Sequence, residues 1–298
     1  MRALWRTRAV AAPGRVSAEL IALVKRVLLP LVRLCHRPTL EGTENLPEGP
    51  FLLVANHSGG LGLAELLCFL ARYVERYENT RPLAAFAHPL SFAIYPASLV
   101  MRHVGAVPST YEAADAALAA GVPLLVFPGG DYETTRPLWH ARRVDFGGRR
   151  GFLRLAKKHG IPIVPMGIAG SHITAPILFQ STWLLPRLLV LPHLIGLKRW
   201  CVTLLGVVVT VLLALGSLAL WAKLVLGWLW LTSPFVFLPI VMSTIRMRIG
   251  QPLAPETLFH DDDPTFTRAL SDVEAAVREL ANGVPHGAMA TESPAEHA

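Results

Sequence analysis

The sequence predicts an α/β fold: a largely parallel sheet covered by helices on both faces, interrupted late in the chain by a strongly apolar insertion. Between residues 39 and 182, short and near-continuous apolar runs alternate with helix-length stretches and turn residues. Runs that do not alternate apolar with polar belong to strands buried on both faces. Residues 201–220 then carry no charge over twenty consecutive positions, and a second apolar run follows at 224–242. Beyond them 243–249 alternates like a strand and 264–282 reads as an amphipathic helix opened by the Asp261, Asp262, Asp263 run, so the sheet resumes after the insertion.

Taken in order, residues 1–38 form a basic segment and a helix. Arg2, Arg6, Arg8 and Arg15 stand without an acidic residue among them, and 17–35 mixes Leu20, Ile21, Val24, Leu28, Leu31 and Val32 with Lys25, Arg26 and Arg33. Its uncharged stretches are too short to span a bilayer, which fits a helix at the membrane interface, with packing on the domain as the competing placement. Strands are expected at 51–54, 83–86, 123–127 and 161–165, and helices at 64–75, 91–103, 111–120 and 148–159. Residues 39–182 and 243–282 are thus two parts of one domain. Residues 183–242 read as a membrane-embedded hairpin, and 283–298 as a small, polar, disordered tail.

Each apolar run has about the length a helix needs to cross a hydrocarbon core of about 30 Å. Lys198 and Arg199 precede the pair, Arg246 and Arg248 follow it, and only Lys223 lies between. That pattern predicts two passes with both ends, and hence the catalytic domain, on the cytoplasmic side. Pro234 and Pro239 in the second run leave a re-entrant hairpin as the alternative. Composition agrees with a lipid partner: 52% of residues are hydrophobic and 16% charged, against a soluble norm of about 25% charged. The formal charge of +7 suits anionic headgroups or phosphorylated substrates. No Lys/Arg-dense, aromatic-interleaved stretch points to nucleic acid. Cys35, Cys68 and Cys201 have neither the even count of a disulfide framework nor C-x-x-C spacing, and read as buried side chains. His and acidic residues form no recognisable metal cluster.

The chemistry starts where the first long strand ends, in Val54-Ala55-Asn56-His57-Ser58-Gly59-Gly60-Leu61-Gly62. Open α/β sheets bind ligands at the carboxyl ends of their strands, and His57 stands there with glycines that let the backbone turn and approach a substrate. An imidazole can take a proton from an alcohol near neutral pH, a role worth about 10² to 10⁴ in rate. A second loop, Phe127-Pro128-Gly129-Gly130-Asp131-Tyr132-Glu133, follows another strand at the same kind of end, although Pro-Gly-Gly is also ordinary turn chemistry. Arg136, Arg142, Arg143, Arg149 and Arg150 follow, a concentration suited to phosphate, or else a solvated basic face.

These blocks resemble the glycerolipid and lysophospholipid acyltransferase superfamily, most closely the bacterial branch related to monoacylglycerol and diacylglycerol acyltransferases. The likeness rests on Leu40-Glu41-Gly42, Asn45-Leu46-Pro47, Asn56-His57, Gly105-Ala106-Val107-Pro108, Phe127-Pro128-Gly129-Gly130 with Glu133, Gly151-Phe152-Leu153-Arg154-Leu155-Ala156 and Ile163-Val164-Pro165, in family order. It implies a mixed sheet wrapped by helices, and direct transfer of an acyl group from acyl-CoA or acyl carrier protein to a lipid hydroxyl. No cofactor is implied beyond that co-substrate. His57 would be the base, with Ser58, Gly59 and Gly60, and Gly129 and Gly130, in the loops that meet substrate and backbone N–H groups of the glycine-rich loop stabilising the oxyanion. Glu133 would orient the acceptor, and Arg149 and Arg150 would meet acceptor or carrier phosphate.

One departure concerns the orienting acid. The superfamily signature is His, four residues, then Asp, and here that position is Gly62. Glu65 is the nearest substitute. On a continuous helix, eight residues would hold it about 12 Å from His57, so only a folded-back 58–62 loop can join them. His140 and Asp145 satisfy the spacing literally, but they lack the preceding strand and glycine-rich turn and read as a chance match. Two other classes compete with a transferase. A lipid esterase normally carries a G-x-S-x-G elbow, which is absent from the chain. A catalytically silent lipid-binding scaffold would keep the fold without an acid near His57.

Overall fold

The computed structural model describes residues 12–57, 59–93, 95, 97–194 and 198–283. Among them are β1 (Thr39–Glu41), β2 (Leu52–Ala55), β3 (Ala84–Ala87), β4 (Val107–Pro108), β5 (Leu124–Val126), β6 (Ile163–Ala169), β7 (Ile177–Ser181), β8 (Trp200–Thr203) and β9 (Arg246–Ile249). Seven of these make one sheet in the order β1-β9-β6-β2-β5-β3-β4. Every neighbouring pair is parallel except β6 with β9, so the sheet is mixed and mostly parallel.

The uniform apolarity of the central strands has a direct cause. All four residues of β2 are buried; Leu52 and Val54 feed one core while Leu53 and Ala55 feed the other. The first core packs helices Tyr111–Ala119, Gly151–His159 and Thr267–Asn282 over one face, and the second packs Leu63–Tyr77 over the opposite face. Helix Leu63–Tyr77 does so through Ala64, Cys68, Ala71 and Val74, a helical stripe. A fully buried Val or Leu side chain, such as Val74 here or Leu53 on the strand beneath, contributes about 1.5–3 kcal/mol relative to exposure. Burial pushes the Cys68 thiol up to about 12, in keeping with its reading as an inert core residue; Cys201 is also buried, whereas Cys35 is only partly so.

The N-terminal helix takes the packed placement. It runs through Ala18–Leu23, a π-helical turn Val24–Leu28 and Leu29–His36, and seats Val24, Leu29 and Val32 on the domain beside helix Leu63–Tyr77. The π turn accommodates Pro30: just before this residue without an N–H, the Leu29 N–H reaches Val24 O, five residues back. Leu23, Val27, Leu31 and Leu34 remain exposed on its other side.

The insertion differs from the two-pass expectation. The uncharged run begins as a strand, β8, pairs with β7 in an antiparallel ribbon, and becomes helical only at Leu204–Leu215. Thr203 makes that switch: its hydroxyl accepts from Gly206 N at 3.0 Å and donates to Val236 O at 2.7 Å. A second helix, Leu220–Thr232, packs on the first and stops at Ser233-Pro234. With 12 and 13 residues, these helices reach about 18–20 Å, short of a hydrocarbon core of about 30 Å. No helix among the described residues is long and apolar enough to cross a membrane. Of the expected tail, 283–298, all but Gly283 lies outside the described residues, as do residues 1–11 of the basic segment.

After the insertion β9 returns antiparallel to β6, and helix Thr267–Asn282 closes over them. The approach is tightest at Gly167 in β6, where a Cβ would meet Ala281 N at 2.2 Å and Leu280 C at 2.4 Å. Both are backbone atoms that no rotamer can move. We therefore expect Gly167→Ala to destabilise the fold by at least about 1–3 kcal/mol, seen as a lower midpoint in thermal unfolding. An unchanged midpoint would contradict this packing.

Candidate active site

β2 and β5 are parallel neighbours, so the loops at their carboxyl ends leave the same edge of the sheet. The β2 loop is pinned first at Asn56, whose amide is buried and exchanges two hydrogen bonds with β6: Nδ2 donates to Ile168 O at 3.0 Å and Oδ1 accepts from Ile168 N at 2.8 Å. His57 follows at the rim, its side chain 12% exposed. Its ring stacks on Phe127 of the β5 loop with centroids 4.1 Å apart and planes 17° from parallel.

The chain then folds back on itself. Gly60, Leu61 and Gly62 all take left-handed backbone, with φ of 70°, 57° and 72°. The turn delivers Glu65, in the first turn of helix Leu63–Tyr77, to His57: Oε1 lies 2.7 Å from Nδ1. A side chain at 62 would aim at the same place, since a Cβ on Gly62 would lie 2.7 Å from His57 Nδ1 and 2.9 Å from Glu65 Oε1. The acid missing from position 62 is therefore replaced, three residues later, by one whose carboxylate occupies the space beside the imidazole. Glu65 is fully buried and its Oε2 accepts from Ser171 Oγ at 2.7 Å. A carboxylate accepts only, so Nδ1 is the donor and Nε2 carries the lone pair.

Beneath the loop lies a second buried carboxylate. Glu133 is 0% exposed; its Oε2 accepts from His57 N at 2.8 Å, and its Oε1 accepts from Arg136 Nη2 at 3.0 Å and Asp145 N at 3.3 Å. Arg136 in turn donates to His57 O at 3.4 Å and to Arg143 O. Glu133, expected to orient the acceptor, has its oxygens turned inward, where they hold the backbone on which His57 sits. Burial pushes its carboxyl up to about 7, with Arg136 and the His57 N–H pulling the other way.

Gly129 lies against this carboxylate; a Cβ there would come within 2.2 Å of Glu133 Cγ. Gly130 backs onto Arg149, which donates to Pro128 O at 3.1 Å and Gly129 O at 2.6 Å. Arg149 also pairs with Asp131 and lines a cavity beside the loop, whereas Arg150 is not among that cavity's lining residues. Gly59 and Gly60 are buried against the 172–175 turn, and Ser58 lies outside the described residues. The literal His-x4-Asp pair forms no site: His140 is exposed, and the Asp145 carboxylate is engaged by Tyr132 Oη at 3.2 Å, Arg143 at 2.9 Å and Gly147 N at 2.8 Å. Among the described residues no group of His, Cys, Asp and Glu could hold a metal ion.

Sequence reading missed Ser171 and the neighbouring His172, and placed Arg136 only in an arginine concentration suited to phosphate, not beside Glu133. Arg136 stands three residues after Glu133, the spacing that faces side chains on a helical turn, and Ser171 follows β6 at the edge where the two loops emerge.

Residues 37–169 match the family described as Acyltransferase. The chain is 31% identical over 173 residues to an uncharacterized protein of Mycobacterium tuberculosis, covering 58% of this chain and 48% of that protein. It is 30% identical over 140 residues to the "DGAT1/2-independent enzyme synthesizing storage lipids" of Gallus gallus, covering 45% and 39%. It is also 30% identical over 147 residues to "Phytyl ester synthase 2, chloroplastic" of Arabidopsis thaliana, covering 46% and 20%. The chain thus spans about half the length, or less, of the curated relatives it matches. The fold is shared with the 1-acyl-sn-glycerophosphate (LPA) acyltransferase, PlsC, of Thermotoga maritima, with TM-score 0.50 and 18% identity over 89% of this chain and 78% of that one.

His172 supplies a test of this packing. It is buried behind the loop, its Nε2 has no hydrogen-bond partner among the described residues, and burial and Arg136 pull its pKa from 6.5 down to about 4. A histidine held neutral in the fold and free to charge when unfolded leaves stability intact above about 6.5 and removes it progressively down to about 4, up to about 3 kcal/mol. We expect His172→Gln to flatten the fall of the unfolding midpoint between these pH values. Equal slopes for both proteins would refute the assignment.

Proposed function

We propose that this protein is a membrane-bound lipid O-acyltransferase that moves a fatty acyl chain from acyl-CoA, or from acyl carrier protein, to a hydroxyl of a glycerolipid or related lipid. The observation that carries the reading is the 2.7 Å pairing of His57 Nδ1 with a buried glutamate at the carboxyl edge of a family sheet. His57 Nε2 takes the proton of the acceptor hydroxyl as its oxygen attacks the thioester carbonyl. Backbone N–H groups of the glycine-rich turn face the oxyanion, and the thiol leaves with the proton. Glu65 fixes the tautomer and steadies the imidazolium, and Ser171 fixes Glu65. The pairing favours an enzyme over a silent scaffold, since the scaffold reading requires the acid near His57 to be lost.

The experiment is acyl transfer from labelled palmitoyl-CoA, and in parallel from palmitoyl carrier protein, to a panel of lipid acceptors by detergent-solubilised protein. His57→Ala should lower the rate by about 10² to 10⁴ and Glu65→Gln by about 10² or more, while His140→Ala should leave it unchanged. No His57-dependent transfer to any acceptor would replace this reading with the scaffold.

Membrane binding rests on the insertion. Helices Leu204–Leu215 and Leu220–Thr232 leave Leu212 62%, Leu215 79%, Leu220 72% and Trp221 72% exposed, with many more apolar side chains around them. A patch of that extent on a monomer marks an interaction surface. A helix pair too short to span enters one leaflet and keeps its base at the interface. Wild-type protein should float with phospholipid vesicles, and Leu212→Asp with Leu215→Asp should leave it in the soluble fraction. Equal flotation of the variant would rule out this surface.

A further inference from the structure

At the base of the insertion, beside the Phe127–Gly130 loop, lies a cavity of about 570 Å³ lined by Asp131, Arg149, Arg187, His193, Lys198 and Arg199, among others. Its four permanent cations come from three places: the stretch after the loop, helix Leu184–Leu189, and the lead into β8. Asp131 is the acidic residue in that lining; it pairs with Arg149 and stands 3.8 Å from Arg199. Arg187 and Lys198 have no carboxylate partner among the described residues. Aromatic faces hold two of the guanidinium groups in place: Arg199 lies 4.8 Å from the Tyr132 ring centroid and Arg187 lies 5.2 Å from that of Trp183. Gathering like charges from separate elements raises the energy of the empty fold, and an anion entering the cavity offsets it.

We propose that this cavity binds the phosphate groups of the acyl donor, as the nucleotide end of an acyl-CoA; the inference rests on the transferase reading above. Phosphate is the chemistry four cations recognise, and both donor and acceptor can carry it. Geometry favours the donor. Arg149 donates to the Pro128 and Gly129 carbonyls, and Phe127 of the same loop stacks on His57, so the loop stands between cavity and base. In a lysophospholipid the phosphate is a few bonds from the reacting hydroxyl and would lie close to His57. In coenzyme A the long pantetheine arm separates several phosphates from the thioester, which allows the phosphates to sit beyond the loop while the thioester reaches the imidazole. None of Arg187, Lys198 and Arg199 lies within the 37–169 segment shared with the family.

The test is equilibrium binding to the full chain by titration calorimetry, with coenzyme A, 3′-dephospho-coenzyme A, sn-glycerol 3-phosphate and acyl carrier protein as probes. The proteins are wild type, the double variant Arg187→Ala with Lys198→Ala, and Arg142→Ala as an exposed cation outside the cavity. We expect the double variant to weaken coenzyme A about tenfold or more, to weaken dephospho-coenzyme A less, and to raise KM for palmitoyl-CoA at unchanged kcat. Arg142→Ala should match wild type. Equal coenzyme A affinity in wild type and double variant overturns the assignment, as does a loss confined to glycerol phosphate or to carrier protein. If coenzyme A binding depends on Arg187 and Lys198 but no acceptor is acylated, the phosphate site stands and the transferase reading falls. If transfer proceeds while coenzyme A affinity is indifferent to both cations, the reverse holds.

Discussion

A carboxylate removed entirely from water must be given hydrogen bonds, because an unpaired buried charge costs several kcal/mol. Glu133 sits at 0% exposure, and the groups supplied to it are the backbone N–H of His57, the backbone N–H of Asp145 and the guanidinium of Arg136. Each comes from a different stretch of chain. Satisfying one buried acid thus ties the end of β2 to the loop after β5 and to the segment that follows it. Arg136 then returns to the His57 carbonyl, so both polar groups of that peptide neighbourhood are claimed. The imidazole is held at the rim by its backbone from below and by Phe127 against its face.

Above this base, the His57–Glu65–Ser171 chain is a second, separate construction. It draws on the sheet edge for His57, on a helix for Glu65 and on the turn after β6 for Ser171. The two carboxylates have distinct duties. Glu133 fixes where the residue is; Glu65 fixes what its ring nitrogens can do. Low exposure strengthens each hydrogen bond in both sets, and makes any unmet group in them expensive.

Much of this was legible in the chain. The strands and helices of the sheet follow from runs buried on both faces, and their positions agree within a few residues at β2, β5 and helix Tyr111–Ala119. The two site loops are visible as glycine clusters at strand ends. What escaped has physical reasons. β4 is two residues long and leaves no periodic signal. β8 is as apolar as the helix it precedes, so only the capping hydroxyl of Thr203 separates them. The closeness of Glu65 to His57 depends on three consecutive left-handed residues, one of them Leu61, for which local preference gives no warning. The inward turn of Glu133 is a matter of burial, and sequence gives a charge but not its depth.

The glutamate beside the imidazole is also the first-turn acid of a fifteen-residue helix, and this joins two parts of the molecule mechanically. Along its flank the same helix packs the N-terminal helix, whose outer side is the exposed stripe of Leu23, Val27, Leu31 and Leu34. The pair therefore has its carboxylate carried by a helix and its imidazole carried by the sheet. The N-terminal segment thus packs on the element that carries the carboxylate, and a single hydrogen bond separates that element from the imidazole on the sheet.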